Sequence, residues 1–544
     1  MTSRRRWSWL LGTVALVAGI SLMVAAYGVA ANRTKAAPKH PQAFGTLKTV
    51  LDTIDYLDPQ QAYTGQSWWA MWNVWETLVT YQHVDGAAGY KLVPGLAQSL
   101  PTVSANGKVY RFKLRKGLKY SNGKPVKASD FKYAIKREYL SQGQGVGFYT
   151  DIAGALNFSK TLKGDIPGIQ TNNAKRTIVI KLTKARGDFL TILALLFAAP
   201  VPAGTPNTDQ STHPIPATGP YRISGYTPNV GFTMVRNPYF KPTKYIPRGN
   251  PNKVEVSLIG DANAATQRVS SGQADYSNGA IPPDRIADAK SKGILKLRVT
   301  ANTYYFWMNM TVPPFNKLKV RQAVNYALNR KTMQTLVWGG LGAGTQNVLP
   351  TTYPSYRKLS LYPHNTNKAK QLIQQAGANG AKVTVWTRNV SDAVTAAQYY
   401  QSVLNSIGLD ASLNILPRTT YYTTIGNVKT KAQTGWARWL EDYPHPLDWF
   451  DVLLNGNRIT DENNNNYAWY SNKTTNKEIE SLKKSPRLTP AVNARWAKVE
   501  KQIMQQAPWA PWSNRVFPEY FNKKMGCIHM QRLYGVDFLR LCKK

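Results

Sequence analysis

Cysteine is almost absent from this chain of 544 residues, which holds only Cys527 and Cys542. They build no CxxC pair and no Cys/His spacing of a zinc site. Histidine is equally scarce. Its six positions (40, 83, 213, 364, 445 and 529) are scattered, so no metal is expected, and His445 reads as a loop or packing residue. HExxH, the Walker A glycine loop and the GxSxG elbow are all missing, which leaves no signature of metalloprotease, nucleotide or serine-hydrolase chemistry. Gly340-Leu341-Gly342-Ala343-Gly344 imitates a nucleotide loop, but Thr345 stands where the final glycine belongs. That stretch reads as a flexible connection, and neither an enzymatic activity nor a cofactor is expected. No internal repeat with a period of about 20–50 residues appears, which argues against a solenoid.

Negative charge is the other shortage, with 29 Asp and Glu against 69 Lys and Arg, a net +40. Such an excess fits nucleic-acid binding or a surface adapted to anionic surroundings. The basic residues run over the whole length with no nucleic-acid signature beside them. The second reading is therefore preferred, and no nucleic-acid partner is expected. An envelope protein uses this kind of charge to stay near anionic lipid or wall polymer.

Long apolar runs are confined to the N-terminus. Arg4, Arg5 and Arg6 precede an uncharged stretch from Leu10 to Val29, and Val29-Ala30-Ala31 has the small-residue form of a cleavage site. This is the three-part secretory pattern, so residues 1–31 read as an export signal or a single membrane anchor. Residues 32–43 read as a linker. The longest later run, Phe189 to Val201, is interrupted by Thr191 and Pro200. Export also favours a disulfide between the two cysteines.

What remains is rich in apolar residues (43%) and aromatics (11%), enough for more than one core. Apolar and polar residues alternate as strands at Leu47–Ile54, Val109–Leu114, Thr177–Leu182, Val254–Ile259, Thr303–Met310, Val383–Trp386 and Ala411–Leu416. Helical spacing appears at Ser67–Thr80, from Ser129 or Asp130 to Tyr139, and at Ala262–Ser271, Val320–Leu328 and Asp392–Ile407, the last stopped by Gly408. Strands and helices that alternate in this way read as α/β.

Five segments, in order, resemble the peptide-type family of extracytoplasmic solute-binding proteins, which includes oligopeptide-, dipeptide- and nickel-binding members. They are Leu57-Asp58-Pro59 with the aromatic helix after it, LVPGLAQSLPTVSANGKVYRFKLRKGLKYSNGKPVKASDF from Leu92, TGPYRISGYTPNVGFTMVRNPYF from Thr218, FWMNMTVPPFNKLKVRQAVNYAL from Phe306, and WLEDYPHPLDWF from Trp439. Arg321, in the fourth, reads as a structural ion-pair residue.

The resemblance implies a two-lobe periplasmic-binding-protein-like fold of the class II type with an extra N-terminal subdomain. Lobe I would take residues 44–80, 205–302 and 512–544, the subdomain 81–204, and lobe II 303–511. It also implies a monomer, periplasmic or held at the cell surface, that encloses a peptide and delivers it to a separate permease and ATPase of an ABC importer. Asp442 is expected to pair with the peptide ammonium, because a buried ammonium needs an anionic partner. Such a pair weakens as pH falls through the carboxyl pKa, ordinarily about 3.9. Glu441 departs from the small residue the family places before that Asp. Trp436 and Trp439 are candidate pocket walls. Ile54, Asp55 and Tyr56 are candidates for main-chain bonds to an extended ligand. Arg388, Arg418 and Arg438 are candidates for a ligand carboxylate, with no choice possible among them. The aromatic content also leaves room for a sugar, a metal chelate or an opine-like solute.

Overall fold

The computed structural model describes residues 43–278 and 281–544. The expected export segment, and all but the last residue of the expected linker, lie outside them. Among the described residues no helix is long and apolar enough to cross a membrane.

Strand β1 (Phe44–Leu51) opens the main sheet, and helix α1 (Gly65–Met71) follows it. The helix is shorter than its apolar spacing predicts. Beyond Trp72 the chain is drawn out of the helix, because the Gly219 and Tyr221 amides bond the carbonyls of Val74 and Asn73 at 2.8 and 3.0 Å. Gly219 is required there, since a Cβ would lie 2.8 Å from the Val74 carbonyl carbon. Val79–Tyr81 is then a strand paired with Leu92–Pro94. A separate four-stranded antiparallel sheet runs in the order Thr102–Val103, Val109–Lys113, Thr177–Lys181 and Ile169–Asn172. With it comes helix α2 (Ala128–Leu140), whose first turn Asp130 closes by accepting the Lys127 N–H at 2.9 Å.

The main sheet resumes with β2 (Tyr221–Thr227), β3 (Gly231–Arg236) and β4 (Pro251–Leu258), then α3 (Ala262–Ser270) and the short β5 (Tyr276–Ser277). Helix α4 (Pro283–Ser291) leads into β6 (Leu295–Val299) and β7 (Asn302–Met308). Next come α5 (Leu318–Ala327), α6 (Arg330–Trp338), β8 (Gly342–Gly344), β9 (Lys382–Arg388), α7 (Ser391–Ser406) and β10 (Asp410–Leu416). The chain continues through β11 (Thr434–Leu440), α8 (Leu447–Leu453), α9 (Lys473–Lys483), α10 (Pro490–Gln505) and β12 (Trp509–Phe521).

These strands form one mixed twelve-stranded sheet, ordered β10-β9-β11-β7-β12-β5-β1-β4-β3-β2, with β6 and β8 also on β12. It is two half-sheets that share β12. Trp509–Ser513 pairs with β7, while Val516–Phe521 pairs with β5 and β6. The arrangement is α/β and two-lobed, as expected. In the half-sheet with β7, apolar residues of both strand faces are buried. Tyr304, Phe306 and Trp436 pack with α5–α7, and Tyr305, Trp307 and Ala437 with α8–α10.

Two expectations are corrected. The glycine run after α6 is no flexible connection. Gly342–Gly344 lies as β8 against Ser513–Arg515, so close that a Cβ on Gly342 would stand 2.7 Å from the Ser513 Oγ. Arg321 is buried and has no ion-pair partner among the described residues, donating to the carbonyls of Phe315 and Gln506 at 2.6 and 2.9 Å. Burial lowers its pKa to about 10. Cys527 and Cys542 form a disulfide.

Candidate functional site

The loop between β1 and α1 is tied down by its own carboxylate. Asp55 accepts from the Tyr63 and Thr64 amides at 2.7 and 2.9 Å and from the Ser67 hydroxyl at 2.6 Å. Its side chain is thereby occupied within the loop. The Ile54 N–H and the Tyr56 carbonyl, by contrast, have no hydrogen-bond partner among the described residues. The Asp55 bonds also set the position of Tyr63, whose hydroxyl donates to Asp442 Oδ2 at 2.6 Å.

Asp442 follows β11 and is 8% exposed. Its amide donates to Asp448 Oδ2 at 3.0 Å, and the same oxygen accepts from Trp439 Nε1 at 3.1 Å. Glu441, beside it, accepts from the hydroxyls of Tyr90 and Tyr353. The Tyr353 hydroxyl in turn accepts from Trp449 Nε1 at 2.9 Å. One residue on, Tyr443 donates to Asp188 at 2.9 Å, and Arg186 grips that carboxylate at 2.7 and 3.1 Å. Three successive residues, Glu441 to Tyr443, therefore each bond a side chain from the N-terminal part of the chain: Tyr90, Tyr63 and Asp188.

The electrostatics separate these acids. Asp188 is driven up by burial, but Arg186 outweighs that and leaves its pKa below the usual range. Glu441, Asp442 and Asp448 have no ion-pair partner among the described residues. Burial pushes Glu441 up to about 8, against the pull of its two tyrosine hydroxyls. Burial likewise raises Asp442 to about 7, only partly offset by Tyr63. Asp448 rises through burial and then through the charge of Asp442. The pH window for an Asp442 ion pair thus lies well above the ordinary Asp value. His445 is buried, accepts the Leu447 N–H on Nδ1, and is lowered to about 4 by burial.

At the ends of β9 and β11 the sign reverses. Arg388 is 5% exposed and lies over the Trp436 ring at 4.5 Å. Its Nε has no partner, and its pKa falls through burial and then through the charge of Arg438. Arg438 is half-buried, and its one side-chain bond among the described residues goes to the Tyr304 hydroxyl at 3.3 Å.

Of the sequence candidates, then, Asp442 and Trp439 meet at Asp448, while Arg388 and Arg438 form a second group with Trp436. Trp436 is fully buried and forms the floor under Arg388. Arg418 is exposed past the end of β10 and bonds none of them. Sequence reasoning missed Tyr63, Tyr90 and Tyr353. It also missed Asp448, whose place six residues after Asp442 at the start of α8 was the available signal.

The description "bacterial extracellular solute-binding proteins, family 5" (middle region) matches residues 91–461, more than half of the chain. The chain belongs to this family. Curated relatives include the glutathione-binding protein GsiB of Escherichia coli O1:K1, 25% identical over 439 residues that cover 77% of this chain and 80% of the relative. The di/tripeptide-binding protein 1 of Pseudomonas aeruginosa is 26% identical over 444 residues, covering 76% and 78%. Among solved structures, the clavulanic acid biosynthesis oligopeptide binding protein 2 superposes with a TM-score of 0.84 at 23% identity, covering 92% of this chain and 96% of its own. The periplasmic binding protein DppA of Helicobacter pylori, solved with the peptide STSA, gives 0.77 at 20% identity, covering 92% and 98%. As a family 5 member, the chain is an extracellular solute-binding protein with the two-lobe fold.

Proposed function

We propose that this protein captures a short peptide between its lobes and hands it to the permease of an ABC importer, which a separate ATPase drives. The observation that carries the reading is Asp442. In a chain with 69 basic residues it is buried beside two further carboxyls, and among the described residues no basic side chain stands within ion-pair distance of any of the three. A peptide ammonium supplies the missing charge, and the Tyr63 hydroxyl already marks the position of a donor on Oδ2. At the other end of the site, Arg388 and Arg438 present guanidinium groups suited to the peptide carboxylate. The free Ile54 N–H and Tyr56 carbonyl offer main-chain pairing, which tolerates varied side chains. Relatives whose names specify glutathione or di- and tripeptides support the same class of ligand.

The sugar reading loses one of its two candidate platforms, because Trp436 lies under Arg388 in the core rather than open to a ligand face, while Trp439 stays partly exposed. The lobe limits given above, the monomeric state and surface anchoring belong to the same proposal. Calorimetric titration of the mature protein with di- to tetrapeptides tests it. Saturable binding that Asp442→Asn weakens by about tenfold or more supports it. Binding of sugars or chelates alone, with no peptide response, would remove it.

A further inference from the structure

The hinge-side edge of the half-sheet with β7 carries more positive charge than a single peptide carboxylate can satisfy. Three guanidiniums meet there: Arg388 at the end of β9, Arg438 near the end of β11, and Arg515 where β12 passes between the half-sheets. One acid accompanies them. Asp392, in the first turn of α7, lies 3.7 Å from Arg515, and its Oδ1 is buried with no partner. The Arg515 guanidinium also covers the Trp338 ring at 5.1 Å and has a buried, unpartnered Nε. Arg388 and Arg438 have no carboxylate within ion-pair distance among the described residues. Helix α7 directs its N-terminus to the same place, and no side chain caps it, so its dipole adds to the positive field.

With the Arg515–Asp392 pair cancelled, two partly or wholly desolvated guanidiniums remain. Uncompensated buried charge is costly, and partners of opposite sign remove that cost. A ligand whose ammonium is already held at Asp442 brings one negative charge through its terminal carboxylate. The second guanidinium needs another. We propose that the preferred ligands of this site are acidic peptides, in which a second carboxylate near the C-terminus pairs with Arg388 or Arg438 while the terminal carboxylate takes the other. The inference rests on the peptide reading above. Arg438 and Asp442 are four residues apart, at most about 13 Å along an extended chain.

The experiment is calorimetric titration of the full mature protein with Ala-Ala-Glu, Ala-Glu-Ala, Ala-Ala-Gln and Ala-Ala-Ala. One of the two glutamate peptides is expected to bind about tenfold or more tightly than the neutral pair, as a charge-assisted contact implies. In Arg438→Gln that preference is expected to shrink to about twofold, with the neutral peptides weakened less. Equal affinity for all four overturns the inference and leaves the peptide reading standing, since both arginines then serve the terminal carboxylate alone. Absence of binding by every peptide overturns both. The ligand comparison uses the unaltered protein, so misfolding of Arg438→Gln does not affect it.

Discussion

The most demanding consequence of the site is its coupling to protons. Burial raises Asp442 to about 7, yet the proposed pairing with a peptide ammonium requires the ionised form. The groups facing it are Tyr63, Glu441 and Asp448, none of them cationic. At about pH 8 roughly nine-tenths of free molecules are ready to bind, and at about pH 5 roughly one in a hundred. Apparent affinity scales with the competent fraction, so it is expected to fall by about 90-fold over that range. Below about pH 6 the loss approaches tenfold per pH unit, with roughly one proton released for each peptide bound. Titration calorimetry in buffers of different ionisation enthalpy measures both quantities. Tyr63→Phe removes the hydroxyl that opposes the effect of burial, so its midpoint should move to higher pH. Asp442→Asn should bind weakly with little slope. Constant affinity from about pH 5 to 8, or an unchanged slope in Asp442→Asn, would refute the reasoning.

Other outcomes follow from the same structure. Glu76 and Glu441 lie at about 8, and Asp442 and Glu500 at about 7, all raised by burial. The folded chain keeps protons that the unfolded chain releases above about pH 4, so its stability is fully present below that pH and is lost as pH rises through 7 to 8. Asp451 opposes this at the acid end: burial raises it, but Lys483 and Arg458 bring it to about 2. Melting temperature should therefore peak near about pH 4 and fall from there to about pH 8, and a rise from pH 5 to 8 would contradict the assignment. Arg137 is buried and bonds Asp58 at 2.7 and 2.5 Å, with Gln60 and two carbonyls on its remaining donors. Arg137→Ala leaves Asp58 unpaired and should cost about 3–5 kcal/mol in urea denaturation; a loss under about 1 kcal/mol would show that the network is dispensable. The Cys527–Cys542 bond spans 15 residues, so replacing both by Ser should cost about 3 kcal/mol, read as a lower urea midpoint that reductant reproduces in the unaltered protein.

Much of the fold was legible because its signals are local. The runs around Leu47, Thr303, Val383 and Ala411 are strands within a few residues of where alternation puts them. The long helix before Gly408 ends as its cap residue dictates. The failures have a common cause. Helix α1 stops early because Gly219 and Tyr221 take its carbonyl partners from about 145 residues away. The glycine run became a strand because β12 lay beside it. Asp442 could be picked from its segment, but its partner Tyr63 is 379 residues distant, and Tyr90 is 351 residues from Glu441. Spacing carries no record of such pairs. The choice among Arg388, Arg418 and Arg438 likewise depended on exposure, which only the folded chain decides.

The sharing of β12 between half-sheets limits how the molecule can move. A flexible tether would let two bodies swing in any direction. Here β6 and β7 run along one edge of a single thirteen-residue strand. At the crossing, Asn302 Oδ1 accepts the Arg515 N–H at 2.7 Å, and Asn514 Nδ2 donates to the Asn302 carbonyl at 2.7 Å. The junction is thus a hydrogen-bonded two-stranded ribbon rather than a single extended chain. Any change in the angle between the half-sheets therefore has to flex two bonded strands together.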